Sequence, residues 1–155
     1  MTWSPQNAMT RSEISAFLDE PHIARLATIR KDGSPHVSPV WYSWDGKSLF
    51  VVLGETRLHT ANIRRDSRVS VIVDEDERPK KQTLRVGAKG VLVNGQARLV
   101  KDSTLLDKVV KMNLERYLGK DNKEYSKLVH AEKRVVMKLK PLKIRAWDFS
   151  KQIQD

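Results

Sequence analysis

The residues best able to do chemistry in this sequence lie in one segment, Gly54-Glu55-Thr56-Arg57-Leu58-His59-Thr60. It follows an apolar run and precedes residues at helical spacing, which predicts a strand leading into a short helix. The first backbone N–H groups of a helix lack intrahelical partners and attract an anion. Arg57 adds a planar guanidinium suited to phosphate, and Thr56 and Thr60 add hydroxyl donors. Spacing alone favours equally an anion site and an ordinary capped helix with surface arginines.

The other polar residues form no recognisable catalytic pattern. The chain has four histidines, His22, His36, His59 and His130. They make no metal-binding pair on one element, and each is more often a surface or packing residue. The sequence lacks the glycine-rich phosphate loops and the nucleophile elbow. It also lacks cysteine, which excludes thiolate nucleophiles and cysteine-based metal centres, so we expect no metal site.

Composition narrows the classes of protein and partner. A chain of 155 residues predicts a single domain over residues 1–155. The net charge of +10 is spread along the sequence without a nucleic-acid-reading motif, so a nucleic-acid partner is not expected. Part of the charge is available to attract an anionic cofactor or substrate. Since neither a secretory signal nor a long apolar run is visible, we expect a cytoplasmic protein with no membrane partner.

Periodicity predicts a mainly β chain with a few helices. The predicted strands are Ile23–Ile29, His36–Trp44, Ser48–Leu53, Arg68–Asp74, Gly90–Val100 and Arg134–Asp148, the last interrupted at Pro141. The predicted helices are Thr10–Asp19, a short one capped by Thr56 and ending near Asp66, Asp102–Leu118 and Asn122–Ala131, with Asp121 and Glu124 as its capping pair. Residues 1–9 are expected to be flexible and residues 75–89 to form an exposed loop. Short strands joined by tight turns favour an antiparallel barrel, with Pro39 on an edge strand or a bulge.

Several phrases, in this order and spacing, resemble the pyridoxamine 5′-phosphate oxidase-like family of split β-barrels that bind flavin or deazaflavin. The phrases are Ala24-Arg25-Leu26-Ala27-Thr28, Asp32-Gly33-Ser34-Pro35-His36-Val37-Ser38-Pro39-Val40-Trp41, Arg57 to Val69, Gly95-Gln96-Ala97 and Ile144-Arg145-Ala146-Trp147-Asp148-Phe149. The resemblance implies a mainly β fold with α, a six- to seven-stranded antiparallel Greek-key barrel with flanking helices. It also implies a homodimer that holds FMN, or a deazaflavin, at the subunit interface.

The same resemblance implies a set of cofactor-binding residues. The isoalloxazine ring and ribityl chain would be lined by Arg25, Leu26, Ala27, Thr28, Val40, Trp41 and Tyr42. The phosphate would lie near Arg57, His59 and Asn62, where Thr56 is the hydroxyl donor already noted, and the second subunit would contribute the region 75–86, including Lys81, together with Trp147.

One position departs from the family pattern. Many relatives carry lysine where this chain has His59, and a histidine is mostly neutral near pH 7.

The leading interpretation is an FMN-dependent oxidoreductase that transfers a hydride or electrons to a small molecule. The alternatives are a reductase that uses the deazaflavin coenzyme F-420, and a flavin- or haem-binding protein without catalysis. Pyridoxamine phosphate oxidation itself is not expected, because the chain is short and the usual substrate-binding arginine and histidine are not evident after Trp147.

Overall fold

The computed structural model describes residues 8–75, 89–119 and 122–152. Most of the predicted flexible start and of the predicted 75–89 loop lies outside these residues. The helices are α1 (Arg11–Asp19), α2 (Leu58–Arg65), α3 (Ser103–Asn113), which continues as a π-helical turn (Leu114–Leu118), and α4 (Lys123–Ala131), with a closing 3₁₀ turn at Phe149–Gln152. The strands are β1 (Ala24–Ile29), β2 (Pro35–Val40), β3 (Ser43–Trp44), β4 (Leu49–Gly54), β5 (Arg68–Asp74), β6 (Lys89–Val100) and β7 (Arg134–Asp148).

The seven strands form one curled antiparallel sheet with the order β2-β1-β5-β6-β7-β4-β3. This half-barrel with flanking helices confirms the predicted split-barrel class. Strand β2 lies at one edge, which agrees with the position predicted from Pro39, since proline has no N–H to give to a second neighbour.

The core fills the inner face of the curled sheet. Burial alternates along β1, β5 and β6, so that Leu26, Val71 and Val93 lie inward and are fully buried. The same period of two places the residues between them on the outer face. Helix α1 closes one side of the core with Phe17 and Leu18.

The predicted interruption at Pro141 is wrong, because β7 runs continuously from Arg134 to Asp148. The irregularity is a bulge: Asn94 pairs with Lys143 and Gly95 with Pro141, which leaves Leu142 as the extra residue. Glycine is required opposite the bulge, because a Cβ on Gly95 would lie 2.4 Å from the carbonyl oxygen of Lys140.

The predicted strand His36–Trp44 is also corrected, since it divides into β2 and β3. Trp41 and Tyr42 between them belong to neither strand. The break lets the chain leave the β2 edge of the sheet and join β4 at the opposite edge.

Helix ends agree with the sequence in part. Thr10 and Glu13 form the predicted capping box of α1. Thr56 does not cap α2, because the turn after Gly54 makes Arg57 the N-cap residue, without a side-chain cap hydrogen bond. Helix α4 is capped by Asn122, whose side chain accepts from the backbone N–H of Tyr125, and Asp121 of the predicted capping pair lies outside the described residues.

Over the described ranges, no helix combines the length and the apolar character that crossing a membrane requires.

Candidate functional site

A cavity of about 250 Å³ lies where the ends of β2 and β4 meet the start of α2. Pro39, Val40 and Trp41 form its apolar side, and Asn113 of α3 and Tyr125 of α4 close it from the helical side. The cavity therefore brings together the predicted phosphate segment and part of the predicted ring-lining segment.

Two arginines converge on this cavity at Gly54. Arg57 follows in the turn, and Arg134 is the residue of β7 that pairs with Gly54. A Cβ at Gly54 would lie 2.8 Å from Cγ of Arg57 and 3.6 Å from Nη1 of Arg134. The absence of a side chain at Gly54 is what allows the Arg57 side chain to lie over the end of β4. The result is a concave surface with two positive charges.

Two buried side-chain nitrogens beside these charges lack a partner among the described residues: Nε2 of His59 and Nε of Arg134. The guanidinium of Arg134 is otherwise held by Glu132, whose carboxylate oxygen lies 3.2 Å from Nη2. A buried polar atom without a partner is costly in a folded protein, and a ligand or an ordered water can supply the partner. Both residues line the cavity, so an anion there would satisfy them together.

His59 of α2 contacts a row of polar side chains on the edge strand β2. Its Nδ1 lies 3.5 Å from Oγ of Ser38, which is 3.0 Å from Nε2 of His36. The guanidinium of Arg30 contacts the other nitrogen of His36 at 3.3 Å. Burial, followed by the charges of His36 and Arg57, lowers the pKa of His59 below its ordinary value of 6.5. His59 is therefore neutral at pH 7 when no anion is bound.

An aromatic cluster adjoins the cavity through Trp41 and Tyr125. The indole of Trp41 stacks on Tyr117, with ring centroids 4.7 Å apart, and lies 5.2 Å from the ring of Tyr125. Asn113 is fully buried, accepts a hydrogen bond from Ser43 and donates one to the hydroxyl of Tyr125. These contacts fix Trp41 and attach the helical pair to the mouth of the cavity.

Only some of the predicted cofactor residues reach the cavity. It is lined by Val40, Trp41, Arg57 and His59. The side chains of Leu26 and Tyr42 are fully buried in the core, with the Tyr42 hydroxyl donating to the carbonyl of Leu18, so their predicted cofactor contacts could be made only by backbone atoms.

Thr28 and Asn62 are buried and bonded to each other. The side-chain amide of Asn62 donates to Oγ1 of Thr28 at 3.0 Å and accepts from Arg65 at 3.3 Å. Thr56 is exposed in the turn, and Lys81 lies outside the described residues. Asn62 thus holds α2 against β1 in this structure, a role different from the predicted contact with phosphate.

The remaining predicted residues lie on the outer face of the sheet. Arg25 pairs across the strands with Pro39 and Ile72, and Ile72 pairs with Leu92. Ala27 occupies the same face one row along, and the ring of Trp147 lies against Gly90, where a Cβ would come within 2.2 Å of it. Arg25 is held on this face by an ion pair with Asp74. The outer face thus presents an apolar centre with charges around it, and it adjoins the cavity at Pro39.

Comparison with known proteins agrees with the split-barrel fold. Residues 10–148 match the family model described as pyridoxamine 5′-phosphate oxidase. The chain belongs to this family. A relative from Vibrio cholerae, the haem oxygenase HutZ, is 29% identical over 106 residues, which are 68% of this chain and 59% of HutZ. The match thus spans about three fifths of the length of that curated relative.

Solved structures of proteins with different described functions share this fold. The conserved hypothetical protein Rv2991 from Mycobacterium tuberculosis superposes with a TM-score of 0.82 at 29% identity, covering 98% of this chain and 92% of Rv2991. A protein described as an F420 reductase shares the fold with a TM-score of 0.62 at 24% identity, covering 84% of this chain and 94% of the other. The fold is therefore shared with a protein described as an F420 reductase.

Sequence reasoning missed Asn113, Tyr125 and Arg134. Arg134 reaches the site only because β7 pairs with β4, a contact between residues 80 positions apart in the chain. The sequence signal available for the other two was their position on the helical pair, whose docking side the pattern does not specify.

Proposed function

We propose that this protein is an FMN-dependent oxidoreductase that transfers a hydride or electrons to a small molecule. The observation that carries the proposal is the convergence of Arg57 with the unpartnered nitrogens of His59 and Arg134 on one cavity. Guanidinium groups and buried N–H donors suit a phosphate.

The residues around the cavity fit the two parts of FMN. Arg57, His59 and Arg134 would hold the phosphate, and the apolar side formed by Val40 and Trp41 would contact the aromatic ring. When bound, the flavin supplies the redox chemistry, while the protein orients it and sets its electrostatic surroundings. This division explains how a chain without a recognisable acid–base pair can be an oxidoreductase.

The proposal includes a homodimer with the cofactor at the interface. A cavity of about 250 Å³ is smaller than the ~300–1,000 Å³ usual for such ligands, so one chain would enclose only part of an FMN. The outer sheet face adjoins the cavity at Pro39 and carries the partly exposed apolar side chains of Ile72 and Leu92. A second chain on this face would bury those side chains and complete the site.

Two other cofactors are supported by specific observations. A deazaflavin with an anionic polyglutamate tail would suit the net charge of +10, and an F420 reductase shares the fold. Haem is supported by the relationship to HutZ and by His59, because an imidazole nitrogen without a partner can bind iron. Both alternatives use the same cavity, so they are tested alongside FMN.

Parallel titration of the cofactor-free protein with FMN, coenzyme F-420 and haemin would separate the three. For FMN we expect a shift of the visible flavin bands, quenched fluorescence and one FMN per chain. Binding of F-420 alone would support the deazaflavin alternative. A Soret band that His59→Ala abolishes, with no FMN uptake, would support haem binding in its place.

A further inference from the structure

A directed hydrogen-bond chain runs from the sheet through the helical pair to the cavity. Oγ of Ser43 donates to Oδ1 of Asn113 at 2.8 Å, and Nδ2 of Asn113 donates to the hydroxyl oxygen of Tyr125 at 3.4 Å. Ser43 and Asn113 are each 1% exposed, so this part of the chain is shielded from solvent. Asn113 and Tyr125 both line the cavity.

The chemistry of the amide fixes the direction of the last hydrogen bond. An amide NH₂ group can only donate, so the Tyr125 oxygen must accept from Asn113. The hydroxyl hydrogen of Tyr125 is then left for another acceptor, and the structure gives it none among the described residues. The aromatic contact with Trp41 holds the ring in place. Tyr125 is thus a hydroxyl donor held in position beside a cavity that two arginines also line.

The geometry points to Tyr125 as a residue that binds a carbonyl-type oxygen of the molecule held in the cavity, with Asn113 as its positioning residue. This inference rests on the proposed function, since it takes the cavity as the flavin site. The carbonyl belongs either to the isoalloxazine ring or to the small molecule that exchanges electrons with it. In both cases the phenol donates to an oxygen that becomes more electron-rich on reduction, and donors are most effective at such oxygens.

Tyr125→Phe tests the inference, because it removes the hydroxyl and keeps the ring beside Trp41. Tyr117→Phe is the matched control. Tyr117 also stacks on Trp41, but its hydroxyl bonds to the backbone of His22 and Tyr42, and it does not line the cavity. Loss of that hydroxyl is expected to lower stability without changing ligand binding.

Two measurements distinguish the sources of the carbonyl. Fluorescence titration gives the Kd for FMN, and rapid mixing of the anaerobically photoreduced FMN–protein with menadione gives the Kd for a quinone. Ferricyanide, which accepts electrons but has no carbonyl, serves as the control acceptor. For Tyr125→Phe we expect one of the two dissociation constants to rise about three- to ten-fold, the usual effect of losing one neutral hydrogen bond, with oxidation by ferricyanide unchanged.

Asn113→Asp reverses the hydrogen bond, because a carboxylate oxygen accepts from the Tyr125 hydroxyl and takes its hydrogen away from the cavity. A folded Asn113→Asp protein should show the same weakening as Tyr125→Phe. If it does not fold, Tyr125→Phe decides the matter. Wild-type affinities for both FMN and menadione in Tyr125→Phe would overturn this inference alone, whereas a wild-type protein that takes up no FMN would overturn the proposed function with it.

Discussion

His59 lies where burial and the neighbouring positive charges both favour the neutral imidazole, and where a bound anion would favour the protonated one. Burial and the charges of His36 and Arg57 lower its pKa, whereas an anion in the cavity would favour the protonated form. Binding of a phosphate should therefore be accompanied by uptake of a proton. The residue is a weak anion ligand at high pH and a strong one when protonated.

His59→Lys should remove this pH dependence. The wild-type affinity for FMN is expected to fall as the pH rises from 6 to 8, because His59 gives up its proton. A lysine stays charged across this range and should bind FMN about ten-fold more tightly than wild type at pH 8, the difference between a charged and a neutral hydrogen bond. Fluorescence titrations of both proteins at each pH give the ratio of their affinities for FMN. Protonation of the FMN phosphate affects both proteins alike, so it cancels in this ratio.

His130→Lys is the control, since His130 is exposed on α4 and does not line the cavity. A constant ratio of FMN affinities between wild type and His59→Lys from pH 6 to 8 would contradict this role of His59.

The pH dependence of the unfolding free energy gives an independent check. Because the folded-state pKa of His59 is below 6.5, the unfolded chain binds more protons, so stability should fall as the pH drops through 6.5, and less so in His59→Lys.

At the scale of elements, the π-helical turn after α3 attaches α1 to the sheet. Arg116 in this turn donates to the carbonyls of Leu18 and Glu20 at the end of α1. Its guanidinium also lies 4.5 Å from the ring centroid of Tyr42, whose hydroxyl donates to the same Leu18 carbonyl. The unpaired carbonyls at the C-terminal end of α1 are thus satisfied by side chains from the π-helical turn and from the connection between β2 and β3.

Arg116→Leu should lower the unfolding free energy by about 1–3 kcal/mol, because it leaves these carbonyls with fewer donors and removes the cation–π contact. Urea denaturation followed by circular dichroism measures the change. Arg98→Leu, on an exposed position of β6, should change stability by less than about 0.5 kcal/mol. Equal stability of the two variants would show that Arg116 does not anchor α1.

The sequence predicted most elements because each leaves a local trace. The alternation of β5 and β6 and the capping box of Thr10 are readable within a few residues. The cavity is not local: Gly54 meets Arg134 through strand pairing, and Ser43 meets Asn113 across 70 positions. The anion segment could thus be predicted as Arg57 and His59, but not the second arginine or the helical wall, since these depend on tertiary packing.

At the scale of the whole molecule, the proposed dimer explains why the outer sheet face is apolar at its centre. Arg25 and Asp74 pair at its edge, while Ile72 and Leu92 lie opposite each other in register. Charges around an apolar centre are typical of an interface between subunits.

Leu92→Glu should convert the dimer to monomers and weaken FMN binding at least ten-fold, because it places a charge in the apolar centre of the interface and the cofactor loses the second subunit's contribution. Sedimentation velocity measures the assembly, and fluorescence titration measures the affinity. Leu128→Glu, on the exposed face of α4, should remain dimeric. A wild-type protein that is monomeric at all concentrations, or a dimeric Leu92→Glu variant, would contradict this face as the interface.

The central claim, that the cavity binds the phosphate of a flavin, is tested most directly by the ratio of affinities for FMN and riboflavin, which differ only in the phosphate. We expect wild type to prefer FMN by at least ten-fold and Arg57→Ala to lose most of that preference, since a hydrogen bond to a charged group contributes about 1.5–3 kcal/mol. Arg64→Ala is the matched control, because Arg64 lies on the same helix, pairs with Glu55 and does not line the cavity. Equal affinities of wild type for FMN and riboflavin would contradict the account.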